Sequence, residues 1–202
     1  MPAFMKPAVR PAALLHPLDP DQRFRASHGP AKELRLMLAF FGDARVPHAR
    51  PITPAALPSP ARELLVHNGH MTEMLESHHA GTVDVHPYVI HRNGEIYGRK
   101  LDLSLSADGR IVMTGLMIFN LQSVAPAVRE EILAAQTPLG RILIQHRVLR
   151  EVTSEAYLRI ESDDPLVARF GLPEPRVAYG RLATIFCDGV PAVDLLEIVA
   201  PA

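Results

Sequence analysis

Cysteine is nearly absent. The single Cys187 among 202 residues leaves no intramolecular disulfide, no Cys-based zinc site and no secreted, stapled scaffold. Long apolar runs are missing too, and none approaches the roughly 18 residues of a spanning helix. The segment MPAFMKPAVRPAALLHPL is too broken by proline to supply a signal peptide's apolar stretch. Charge of one sign is lacking as well: 21 basic and 22 acidic residues give a net −1, so no global field draws the chain to nucleic acid or an anionic membrane. The familiar catalytic signatures are absent: there is no GxSxG, P-loop, GxGxxG, HExxH or facial-triad spacing. These absences leave a soluble cytoplasmic globular protein with neither membrane nor nucleic-acid partner, of one domain or two small ones, whose 48 % apolar content suffices for a core.

Proline divides what is present. Eleven of the 19 prolines fall in the first 60 residues, and each removes a backbone donor and fixes φ. Residues 1–60 therefore read as a proline-rich extension with one short helix, Ala31–Phe41, whose Leu34, Leu36, Leu38 and Phe41 mix spacings. This extension is either a partly disordered tail or an arm packed on the domain formed by 61–202; the apolar LMLAFF run favours the arm.

Beyond Arg62 the pattern becomes regular. Short helices are expected at Ala61–Val66 and Thr72–His79, on either side of an Asn68-Gly69 turn. Strands are expected at Thr82–His91, Arg99–Ser106, Ile111–Leu121, Val148–Glu161, Arg181–Cys187 and Ala192–Val199, from β-branched enrichment and alternation. Asn93-Gly94, Asp108-Gly109 and Asp188-Gly189 separate successive strands as turns. Leu101, Leu103 and Leu105 face one way while Lys100, Asp102 and Ser104 face the other, giving one dry and one wetter face. A helical insertion follows the third strand, with Val128, Ile132 and Ala135 as its apolar stripe. The fold class is α+β: an antiparallel sheet of about six strands with helices packed on one face.

Chemistry concentrates in a few places. Thr137-Pro138 suits the cap and first position of a helix, whose opening amides, those of Leu139 and Gly140 among them, would suit an anion; an ordinary helix–helix turn reads the same way. Arg99 and Arg181 each follow a Tyr-Gly pair at a strand start. Glu197 sits among Leu195, Leu196, Ile198 and Val199, where desolvation would favour a protonated acid unless an arginine on the sheet pairs with it. Six of the ten histidines lie between His67 and His91. His67 and His70 have an i, i+3 spacing that could share a metal, but solvated or pocket-lining histidines are the preferred reading, with no metal. Cys187 reads as a core residue at a strand end.

Taken together, LLVHNGHMTEMLE at 64–76, YGRKLDLSL at 97–105, EEILAAQTPLGRILIQH at 130–146 and YGRLATIFCDGVPAVDLLEIVAP at 179–201 resemble the chorismate pyruvate-lyases, in particular the actinobacterial and cyanobacterial branch that makes 4-hydroxybenzoate. The resemblance implies a six-stranded antiparallel sheet with helices over one face. It further implies an enzyme, a carbon–oxygen lyase that eliminates pyruvate from chorismate without cofactor or metal. By residue, it implies that Arg99 holds the ring carboxylate, helped by amides of Met71 and Leu139 beside Gly140. Arg181 would contact the enolpyruvyl carboxylate, and Glu197 would face the ether or phenol oxygen as the acid. Chorismate and 4-hydroxybenzoate would be its small-molecule partners, and a monomer serving ubiquinone or phenolic biosynthesis is expected.

Two alternatives stay open. The same fold could act on another cyclic acid, or it could be a non-catalytic aromatic-acid sensor, since a similar sheet serves as an effector-binding domain in some transcription regulators. The histidine-rich stretch His67–His91 departs from the family pattern.

Overall fold

A computed structural model describes residues 29–202. The expected α+β class holds. Seven strands form one antiparallel sheet: β1 (Ala49–Ile52), β2 (Val83–Asn93), β3 (Ile96–Leu105), β4 (Ile111–Asn120), β5 (Arg150–Ile160), β6 (Ala178–Cys187) and β7 (Val190–Val199), ordered β1-β5-β6-β7-β4-β3-β2. Six correspond to the expected strands. The added one, β1, is a four-residue edge strand whose Pro51 and Arg50 suit an edge and hide it from any alternation test.

The turns explain the register. Asp188 and Gly189 both adopt positive φ, 50° and 79°, as the β6–β7 hairpin requires, while Gly94 and Gly109 supply the positive φ after β2 and β3. The chain runs β2–β3–β4 as a meander, leaves the sheet through helices, and returns so that β7 inserts beside β4 at the centre.

Alternation sends odd-numbered residues of β3, β4 and β7 to one face. There Leu101, Leu103, Met113, Met117 and Leu195 pack beneath α2 (Ala61–Leu65), α3 (Met71–His79), α4 (Pro126–Ala134) and α5 (Leu139–Gln145). The expected stripe of Val128, Ile132 and Ala135 is buried here. The opposite face is drier than expected. The N-terminal helix α1 (Pro30–Phe40) and the one-turn α6 (Pro165–Ala168) cover it, with Leu34, Met37, Leu38 and Val167 on Leu116, Ile118, Leu196 and Ile198. Met37, not Leu36, completes the helical 34/37/38 spacing, and each such burial contributes about 1.5–3 kcal/mol. Only the periphery of this face is polar, where Arg169 grips Asp102 through both carboxylate oxygens and stacks on the Tyr88 ring. Among the described residues no helix is long and apolar enough to cross a membrane.

Candidate functional site

Strand register builds the site. Leu101, Gly115, Glu197 and Arg181 lie in one row across β3, β4, β7 and β6; Arg99, Met117, Leu195 and Ala183 form the next. Over these rows sit the first turns of α3 and α5. Between floor and roof is a cavity of about 60 Å³, lined by Arg99, Glu197, His70, Met71, Thr72, Leu139 and Gly140 within a largely apolar wall.

Arg99 is the exceptional group. It is 1 % exposed, no carboxylate pairs with it among the described residues, and its Nε and Nη1 have no hydrogen-bond partner. Its bond from Nη2 to the Thr137 carbonyl is long, at 3.4 Å, and the Tyr97 hydroxyl also interacts with the guanidinium. Burial lowers its pKa from the usual arginine value, opposed by the nearby Tyr97 hydroxyl; a guanidinium nevertheless stays charged in proteins. A buried cation without a counterion is costly, which is why such groups are rare unless something binds them.

Glu197 is not the counterion. Arg181 Nε donates to Glu197 Oε2 at 2.7 Å, and Arg181 is wholly buried behind it. The Nη1 group of Arg181 also donates to the carbonyls of Leu65, at 3.1 Å, and His67, at 2.9 Å. Glu197 is therefore one half of a fixed ion pair, the alternative already visible in its sequence setting, and not a lone acid in an apolar strand.

The roof adds positive potential. The α3 helix starts after His70 and α5 after Pro138, and neither has a side-chain cap. Their opening amides thus lack intrahelical acceptors, and the positive end of the α3 dipole faces the cavity. The helix α5 begins one residue later than Thr137-Pro138 suggests, with Pro138 itself as cap. The two turns pack tightly: a β-carbon on Gly140 would come within 3.1 Å of the His70 ring. The Arg150 Nε group donates to His70 Nε2, and burial, then this arginine, lowers the His70 pKa. His67 spends both nitrogens on backbone, with Nε2 on the Leu64 carbonyl at 2.8 Å and Nδ1 accepting from Gly69 N at 3.1 Å. Neither histidine is arranged to share a metal with the other.

Of the residues singled out in the sequence, Met71, Arg99, Leu139, Gly140 and Glu197 therefore line one cavity, and Arg181 stands behind it. His70, read from the sequence as solvated or pocket-lining in preference to sharing a metal with His67, is a wall of the site, where two helix starts meet.

No family model matches the chain, and no curated protein does. Solved structures do. PhnF from Mycobacterium smegmatis superposes with a TM-score of 0.50 at 14 % identity, over 84 % of this chain and 78 % of that one. The fold is shared with PhnF. Looser likenesses, each with a TM-score of 0.42 over 58 % of this chain, are to the ligand-binding domain of a candidate GntR-family transcriptional regulator from Bordetella bronchiseptica and to the candidate regulator YydK from Bacillus subtilis. Identities are 11 % and 8 %, and 85 % and 57 % of those chains are covered. At such identities the likeness speaks to fold alone. The resemblance to chorismate lyases is supported at the level of fold alone. The comparisons correct the expected assignment as a carbon–oxygen lyase: they give it no support, since the matched structures described by role are a regulator and a regulator's ligand-binding domain, not lyases. The ion-paired state of Glu197 fits that correction, because the acid assigned to the elimination is held by Arg181.

Proposed function

We propose that this chain is a non-catalytic ligand-binding domain that takes a small organic monoanion, an aromatic or cyclic carboxylate, on Arg99, and that it serves as an effector sensor. One observation carries the reading: a buried guanidinium with two unpartnered nitrogens lines an apolar cavity whose only carboxylate is already paired. A carboxylate meets the Arg99 fork with charge-assisted hydrogen bonds, while opening amides of α3, near Met71, and of α5, near Leu139 and Gly140, flank it. Apolar walls suit a ring, for which the roof must lift, since about 60 Å³ is less than the roughly 150 Å³ that holds a benzene ring. The free side of Glu197 suits a hydroxyl donor at the ring's far end. Arg181, committed to Glu197 and to two carbonyls, is not the second anion anchor. The pocket thus carries one unmatched positive charge, which favours monoanions over dianions such as chorismate. No metal or cofactor enters this reading, and any DNA contact would be made outside this pocket.

Calorimetry and thermal shift with benzoate, 4-hydroxybenzoate and neutral benzamide test it. The two acids should bind and raise Tm, benzamide should not, and Arg99→Met should abolish the response. Incubation with chorismate should release no pyruvate. Equal responses to acid and amide, or an unchanged Arg99→Met protein, would remove Arg99 as the anchor.

A further inference from the structure

We infer that Arg181 is a positioning residue that couples the floor of the cavity to its roof, so that the state of Glu197 is reported in the connection between α2 and α3. The inference rests on the binding reading only for which cavity is occupied.

The link is continuous. Glu197 lines the cavity, whereas Arg181 does not; it lies beside Glu197 in register on the neighbouring strand, and its Nε holds Glu197 Oε2 at 2.7 Å. From the same planar group, Nη1 reaches the carbonyls of Leu65 and His67. Leu65 ends α2, where helix carbonyls lose their intrahelical partners, and its carbonyl accepts both from Arg181 and from the His67 amide at 3.2 Å. His67 folds back on the same stretch, tying Leu64 to Gly69. The next residues, His70, Met71 and Thr72, form the roof. A guanidinium is a rigid fork, so displacing Nε displaces Nη1 with it. A ligand that draws on Glu197 therefore pulls, through Arg181, on the segment carrying the roof. That segment reaches the surface at Val66, which is 40 % exposed.

Hydrogen exchange on the unliganded full chain tests the coupling without any ligand. Glu197 makes no hydrogen bond to residues 65–70 and acts on His67 and His70 only through its charge, so at pH 8, where both rings are neutral, a merely local role predicts no change there in Glu197→Gln. The coupling predicts exchange about tenfold faster in peptides covering 64–72, with β4 and β6 unchanged, and the same pattern in Arg181→Lys. No change at 64–72 in Glu197→Gln overturns it. Should that variant lose protection everywhere, Glu197→Asp, which keeps the charge and shortens the reach, decides: a confined increase supports the coupling and a uniform one refutes it. 4-Hydroxybenzoate, whose hydroxyl reaches Glu197 in the binding reading, should shift exchange at 64–69 in the wild type more than benzoate, which has no such group. Absence of calorimetric binding would defeat the ligand reading, while the coupling would still stand or fall on the Glu197 variants.

Discussion

Arg99 on β3 and Glu197 on β7 face one cavity from the same side of the sheet, yet only Glu197 has a counterion, Arg181 at 2.7 Å. Opposite charges on facing walls would ordinarily neutralise each other. Here the carboxylate is bound from behind, and the cation in front has no carboxylate partner among the described residues.

Arg99→Met should leave the unliganded protein as stable or raise its unfolding free energy by about 1–3 kcal/mol, because replacing an unpaired buried charge with an apolar side chain removes a desolvation cost. Its long bond to Thr137, 3.4 Å, and its contact with the Tyr97 hydroxyl are too weak to offset that gain. Urea unfolding of the two proteins measures this. A loss of several kcal/mol would mean that Arg99 is a structural tie and not a vacant anchor.

Arg181→Met should behave oppositely. It strands Glu197 and frees the Leu65 and His67 carbonyls, so about 3–5 kcal/mol should be lost in the same titration. The double variant Arg181→Met with Glu197→Leu should recover most of it, since no charge is then left unpaired. If the two losses simply add, the residues are not energetically paired.

Much of the architecture was legible because it follows from local rules. Leu101, Leu103 and Leu105 alternate, and Asp188-Gly189 can close only a tight hairpin. The short strand at Ala49–Ile52 was not, because four residues with a proline carry no period and the pairing with β5 is supplied by distant chain. The second helical layer was only half legible: LMLAFF announced burial, but the position of Met37 against the sheet needed the sheet's own far face. At the site, the sequence named residues that share a cavity but not how they pair. For Glu197 it left a lone acid and an arginine-paired one open, because Arg181 is 16 residues away in sequence but opposite in register. Shared motifs brought the named residues around one cavity but carried an expectation of catalysis that the comparisons do not support, since one sheet can hold an acid in order to transform it or only to detect it.

Gly115 should tolerate no side chain. A β-carbon there would lie 2.1 Å from the Leu196 carbonyl oxygen, which is backbone of the central strand and cannot swing aside. Gly115→Ala should therefore lose about 2–4 kcal/mol in urea unfolding and weaken benzoate binding, because β4 and β7 would have to part where the pocket floor lies. Gly109→Ala, with φ of 73° in a turn and open space around it, serves as the comparison: about 1 kcal/mol from strained backbone, with binding intact. Equal binding losses in both variants would show that the effect is not specific to the floor.

The protein should lose stability as pH falls below about 6.5. Burial, followed by Arg181 for His67 and by Arg150 for His70, holds both histidines below their usual value of 6.5 when folded. The unfolded chain then binds more protons than the folded one once pH drops through 6.5. The stability these neutral rings provide is complete above that value and is lost as pH falls toward their folded values. The chemistry agrees: His70 Nε2 accepts from Arg150 and His67 Nδ1 accepts from Gly69, and a protonated ring can do neither. Thermal unfolding at pH 7.5 and 5.5 should show a lower Tm at the acid value. His70→Gln keeps an acceptor for Arg150 but does not titrate, so the same drop in pH should lower its Tm by less. An equal drop in wild type and His70→Gln would mean that His70 is not held neutral by its place between Arg150 and Gly140, and the acid sensitivity would then have to come from other groups.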